Sequence, residues 1–208
     1  MSERFGIEYS RRREKLLPAR AVLLVVDIQE RLAAAMPPAI LEQTIKNTTL
    51  LINTAGQFLF PIVVSQQYPK GLGPTVPALA DAIAAAEANG APVFRFDKTE
   101  FSVASNDTFH TLPPAVMLGG MMQREQWIVT GMETHVCVYQ SVRDLIIPTS
   151  AVHVVTDAVA SRTKANWKIG VDLCRESGAR VTSTEVVVFD LLQRAGTDAF
   201  KVLSKQIK

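Results

Sequence analysis

Apolar residues in this chain gather into short runs that stop abruptly at a polar or small residue, with longer amphipathic stretches between them. The first run, AVLLVVD (Ala21 to Asp27), is almost wholly apolar and ends in a charge. Such a run suits a strand buried on both faces of a parallel sheet. PIVVSQ (61–66), PVFRFD (92–97), QWIVTG (126–131), AVHVVTD (151–157) and ARVTS (179–183) repeat the signal. Between them the spacing predicts helices over 38–60, 78–90 (closed by Asn-Gly), from Thr134 to about Ile147, over 165–178 and from Thr184 onward. QYPKGLGPTVP (67–77) reads as a Pro/Gly loop, and the weakly patterned stretch to Met122 as one helix interrupted by Pro113 and Pro114. Strand and helix alternate six times, the pattern of a parallel sheet covered by helices on both faces.

Composition narrows the picture without changing it. The 208 residues are 48% hydrophobic and 20% charged, enough to bury one sizeable α/β core, and the reading is a single domain over 1–208. A net charge of +2 is too mild to imply nucleic acid. The basic run RRREK, at the end of an N-terminal arm (1–15), could touch phosphate or simply be solvated. No apolar run approaches the ~20 residues of a bilayer span. The two cysteines, Cys137 and Cys174, make neither a disulfide framework nor a zinc pattern, so a reducing, cytosolic setting is expected. The arginine-rich start leaves a mitochondrial address open, but Glu3, Glu8 and Glu14 are unlike a transit peptide.

In a sheet of this kind ligands bind beyond the carboxyl ends of the strands, near the point where strand order reverses. Past the first run lies Asp27, past the third Lys98, and past the fourth Cys137. Taken singly, Asp27 could be a helix cap and Lys98 plain surface. Together, a carboxylate, an ammonium and a thiol emerge on one edge.

The segments VVDIQ, KTEFS and GMETHVCV, in this order and spacing, resemble the isochorismatase-like cysteine hydrolases. The similarity runs from about Leu16 to the C-terminus. QQYPKGLGPTVP and ASRTKANW…ESGARVTSTE resemble the isochorismatase domain-containing protein subgroup. The resemblance implies a three-layer α/β sandwich with a six-stranded parallel sheet in the order 3-2-1-4-5-6, usually in a homo-oligomer. It implies Cys137 as nucleophile, Asp27 as general base and Lys98 as third member of a triad. It also implies a cis peptide at Met132–Glu133, with the backbone N–H groups of Glu133 and Cys137 as the oxyanion hole.

The physics is compatible with these roles. A thiol must become a thiolate to attack. The start of the helix after Thr134, with Thr134 as cap, and the Lys98 ammonium would favour that anion, while Asp27 accepts the proton. His135 is a tempting rival base. Residues two apart at a helix start do not face each other, so its ring should point away from the thiol and serve the structure. Cys174 is expected to pack in the core beside Ile169, Val171 and Leu173. Gln29, Gln66 and Gln67 could hydrogen-bond a substrate or be simple loop polarity. Tyr68, Phe101 and Trp167 could wall a pocket or belong to the core.

Nicotinamidases of this family carry an Asp-x-His cluster after the second strand, where a divalent ion binds. Here the segment reads SQQYPKG, so neither a metal nor any other cofactor is expected. The leading expectation is therefore a metal-independent hydrolase of a small amide-like substrate, working through a thioester. A silent member of the fold used for binding or assembly is the alternative. A protein acting on nucleic acid ranks behind both.

Overall fold

The computed structural model describes residues 15–112 and 124–207. The basic run at 11–14 and the helix expected around Pro113 and Pro114 fall outside these residues. Strand β1 (Ala21–Val26) is followed by α1 (Glu30–Ala33), α2 (Pro38–Phe58), β2 (Ile62–Gln67), α3 (Pro69–Leu72), α4 (Pro77–Ala88) and β3 (Val93–Lys98). A 3-10 turn (Val103–Ser105) and α5 (Asp107–His110) lead toward β4 (Gln126–Met132). A single π-helical turn (Thr134–Val138) then runs directly into α6 (Tyr139–Leu145). The rest is β5 (Ala151–Ala160), α7 (Lys164–Glu176), β6 (Arg180–Thr182), α8 (Thr184–Leu192) and α9 (Asp198–Leu203).

All strand pairs are parallel, in the order β3-β2-β1-β4-β5-β6. This is the order implied by the resemblance. Every residue of β1 is buried because both its faces are covered. Leu23 and Val25 join a core with α2, α4 and α8, whereas Val22, Leu24 and Val26 join one with Val138, Val142 and Cys174. That two-sided burial explains the unbroken apolar run.

Several expectations need correction. The Pro/Gly loop contains α3, and α1 was not anticipated, because four residues are too few to show a helical period. The tail is two helices rather than one. Gln193 adopts a left-handed conformation at the end of α8 (φ 59°), and Gly196 follows with φ 81°. β5 continues three residues past Asp157, to Ala160, after a register shift against β4 between Val129 and Gly131. Cys174 is fully buried as expected, but Ile169 on the same helix is exposed.

Within β5, His153 is buried. Burial, with a smaller push from the Arg180 charge, drives its imidazolium down to about 4 from an ordinary value of 6.5. An unfolded chain takes up that proton near 6.5, while the folded chain refuses it until about 4. Stability that is fully present above 6.5 is therefore lost progressively as pH falls through this window. The loss should be on the order of 3 kcal/mol. Urea unfolding at pH 7 and pH 4.5 should show most of that difference in the native sequence and much less in His153→Leu. Equal pH dependence in the two proteins would remove His153 as its source.

Candidate active site

Three strand ends build the site. Asp27 follows β1 in a left-handed conformation (φ 51°) that short polar side chains tolerate better than most. It is fully buried, and its carboxylate is gripped from two sides. Ser65 Oγ donates to Oδ1 at 2.7 Å and Lys98 Nζ to Oδ2 at 2.6 Å. Lys98 ends β3, on the far side of β2 from Asp27, and its stem spans that gap. Its ammonium is buried and also donates to Gln67 Oε1 at 2.7 Å and to the carbonyls of Glu100 and Phe101 at 3.2 Å. A buried charge needs such complete partnering to be tolerable.

The third element is the turn after β4. Gly131 pairs with Val26 and has φ 139°; a Cβ there would lie 2.2 Å from the Val26 carbonyl oxygen. Only glycine lets the β4 main chain come this close to the end of β1. The Met132–Glu133 peptide is cis. The π-turn then closes with Val138 N–H donating to the Glu133 carbonyl at 3.2 Å, and Cys137 falls within it. Thr134 does not cap this turn. Glu133 holds the cap position, without a capping side chain, and Thr134 Oγ1 is buried with no hydrogen-bond partner among the described residues.

Cys137 is 5% exposed, and the Asp27 carboxylate lies near enough for its charge to act on the thiol. Its ionisation runs against the expectation of a poised thiolate. Burial first, then the adjacent Asp27 charge, push the thiol up to about 12; Lys98 pulls the other way and Glu133 adds a small upward push. The resting sulfur is thus a neutral thiol within the field of a carboxylate. An anion there would sit out of water beside a carboxylate, and the helix start does not overcome that cost.

The polar side chains proposed to face a substrate are committed elsewhere. Gln29 is buried and stitches the end of β2 to the following loop. Its Oε1 accepts from Gln67 N–H at 2.7 Å, and its Nε2 donates to the carbonyls of Gln67 (3.0 Å) and Gly73 (2.7 Å). Gln66 bridges Asp97 and Thr75, and Gln67 spans Lys98 and the Thr99 carbonyl. Trp167 packs on the core and donates Nε1–H to the Thr156 carbonyl at 3.2 Å. These four are framework residues, a correction that follows from their hydrogen-bond partners. Tyr68 (54% exposed) and Phe101 (52% exposed) remain open to solvent, at the ends of β2 and β3. Both touch the backbone or side chain of Lys98: Tyr68 N–H donates to its carbonyl and the Phe101 carbonyl accepts from its Nζ. His135 turns its Nδ1 to Ser161 Oγ at 3.1 Å.

Two supporting residues escaped the sequence reading. Ser65 lies mid-run in the second apolar segment, where nothing marks it as a carboxylate's partner. Ser141 donates to the Cys137 carbonyl at 2.6 Å and accepts from Val103 N–H at 3.0 Å, tying the Cys137 turn to the loop beyond Lys98. The i, i+4 spacing of Cys137 and Ser141 is its only sequence signal.

The sheet order β3-β2-β1-β4-β5-β6 with helices on both faces defines an α/β three-layer sandwich, and its carboxylate and ammonium meet beyond the strand ends. The isochorismatase domain family matches residues 21–186, and the chain belongs to that family. It is an isochorismatase-like hydrolase. A secreted isochorismatase effector, Isc1, of Phytophthora sojae is 35% identical over 96% of this chain and 90% of the relative. Isochorismatase domain-containing protein 2A of Mus musculus is 30% identical over 93% of this chain and 85% of its own length, which supports the resemblance to that subgroup. Among solved structures, the MAR1 ribonuclease of Caenorhabditis elegans superposes with a TM-score of 0.79. It shares 31% identity and covers 93% of this chain and 92% of its own.

Proposed function

We propose that the protein hydrolyses a small amide-like substrate through a thioester on Cys137, without a metal ion. The observation that carries this reading is the placement of the Asp27 carboxylate between the Lys98 ammonium and the Cys137 thiol, all three buried. As the sulfur attacks the carbonyl carbon, its proton passes to Asp27. The carbonyl oxygen gathers the negative charge and is held by the backbone N–H groups of Glu133 and Cys137. Collapse of this intermediate expels the amine, which leaves with the proton from Asp27. Water then attacks the thioester carbon, giving its proton to Asp27; the acid departs and the thiol recovers that proton. Lys98 balances the charge of Asp27 throughout and keeps it from drifting toward solvent.

Among the described residues no group of three or more His, Cys, Asp or Glu could hold a metal ion. The polar groups after β2 are amides already bound to the protein, which supports chemistry by side chains alone. The exposed Val186, Phe189 and Val202 support association with further copies of the chain.

A panel of small primary and secondary amides, assayed for amine release with and without EDTA, tests the reading. At least one amide should turn over equally in both conditions, and rapid acid quenching should trap an acyl mass on the Cys137 peptide. Loss of activity in EDTA, restored by zinc or manganese, would overturn the metal-free mechanism. No turnover across the panel would favour the binding or assembly alternative. Cleavage of an added RNA by the Cys137→Ala protein would point to the nucleic-acid reading instead.

A further inference from the structure

The thioester mechanism leaves one buried charge unused. Glu133 belongs to the turn that carries the nucleophile, yet its carboxylate takes no part in moving protons. Its side chain is 7% exposed, and its partner Arg162, just beyond β5, is 58% exposed. Arg162 grips it three times. The backbone N–H donates to Oε2 at 3.0 Å, and Nε lies 3.1 Å from each oxygen. The residue before Arg162 holds the same turn two residues further on, since Ser161 Oγ meets His135 Nδ1 at 3.1 Å. Behind the turn lies α7, so close that a Cβ on Gly170 would come within 2.7 Å of the His135 nitrogen.

We infer, building on the thioester reading, that Arg162 is a positioning residue with an electrostatic task. It balances the Glu133 carboxylate, whose charge acts on the sulfur four residues further along the chain, and locks the oxyanion-facing turn to the end of β5. A bare carboxylate at this position would oppose both the attacking sulfur anion and the oxyanion that follows. Asp27 from the end of β1, Lys98 from the end of β3 and Glu133 from the end of β4 are the charges acting on the thiol; Arg162 reaches it through Glu133. Glu133 therefore ties the turn only in company with a cation. Its removal and the removal of Arg162 should have opposite effects on the sulfur, which a purely mechanical tie would not produce.

The test is the rate of iodoacetamide alkylation of Cys137 at pH 8, read by peptide mass spectrometry, in variants whose near-ultraviolet circular dichroism matches the native protein. Arg162→Met should slow alkylation about 10-fold. Glu133→Gln should quicken it about 3-fold. The double variant should fall within about 3-fold of Glu133→Gln alone, a rescue of the arginine's loss by removal of its partner. If Arg162→Met does not fold, the Glu133→Gln arm decides alone, because a lost tie predicts slower labelling and a lost charge predicts faster. Unchanged rates in the single variants, or slowing in both with no rescue, would overturn the inference while leaving the nucleophile assignment intact. Labelling of Cys137 no faster than Cys174 in the native protein would instead overturn the thioester reading on which it rests.

Discussion

Cys137→Ala protein is expected to fold, to melt within a few degrees of the native protein, and to lose at least about 10³-fold in kcat/KM on any amide that turns over. Ser65 Oγ already donates to Asp27 and Ser141 Oγ to the Cys137 carbonyl, so neither hydroxyl is free to replace the thiol. Asp27→Asn should come close to the same loss, although it preserves size and shape. With the resting thiol pushed up to about 12, almost no thiolate exists near neutrality, so the reaction depends on a carboxylate to take the proton during attack. Steady-state kinetics of the two variants on one amide checks both statements. Retention of more than about a tenth of native kcat/KM by either would exclude the assigned nucleophile or base.

Lys98→Met should produce the largest loss of stability among single changes at the site. The native ammonium answers the Asp27 carboxylate, Gln67 Oε1 and two carbonyls in a pocket closed to water. Methionine fills similar space and answers none of them. Breaking a buried pair by removing one partner costs about 3–5 kcal/mol. In a domain of this size that corresponds to a fall in Tm of about 10 °C. The remedy discriminates the cause: Lys98→Met with Asp27→Asn removes the orphaned charge and should recover part of the lost stability. Thermal unfolding by circular dichroism reads both. A double variant as unstable as the sum of its parts would mean that packing, not charge, holds Lys98 in place.

Much of this architecture was readable before any coordinates. Strands buried on both faces write themselves as continuous apolar runs, and the polar residue that ends such a run marks the sheet edge. Asp27, Lys98 and Cys137 could be named for that reason. What stayed hidden depends on depth and on meetings between distant segments. The direction of the Cys137 ionisation follows from burial, which the sequence around it does not record. Gln29, Gln66 and Gln67 look like free loop amides until their partners are seen. Arg162 lies 29 residues from Glu133, beyond any local pattern that could couple them. α1 and α3 are too short for periodicity, and the extension of β5 follows a register shift visible only in the paired sheet.

The pairing of Asp27 with Lys98 joins residues 71 apart in sequence and spans a middle strand, β2, that belongs to neither. A site composed this way has no local precursor. Three parallel strands must dock in order before the ammonium can meet its carboxylate, and a fourth before the thiol can join them. Contacts of such long range are slow to form, because the entropy of closing each loop comes before any reward. While the chain is still assembling, Asp27 and Lys98 are ordinary hydrated charges and Cys137 an ordinary solvent-facing thiol. The sulfur is withdrawn from solvent, and so from stray oxidants, only once these strands have met.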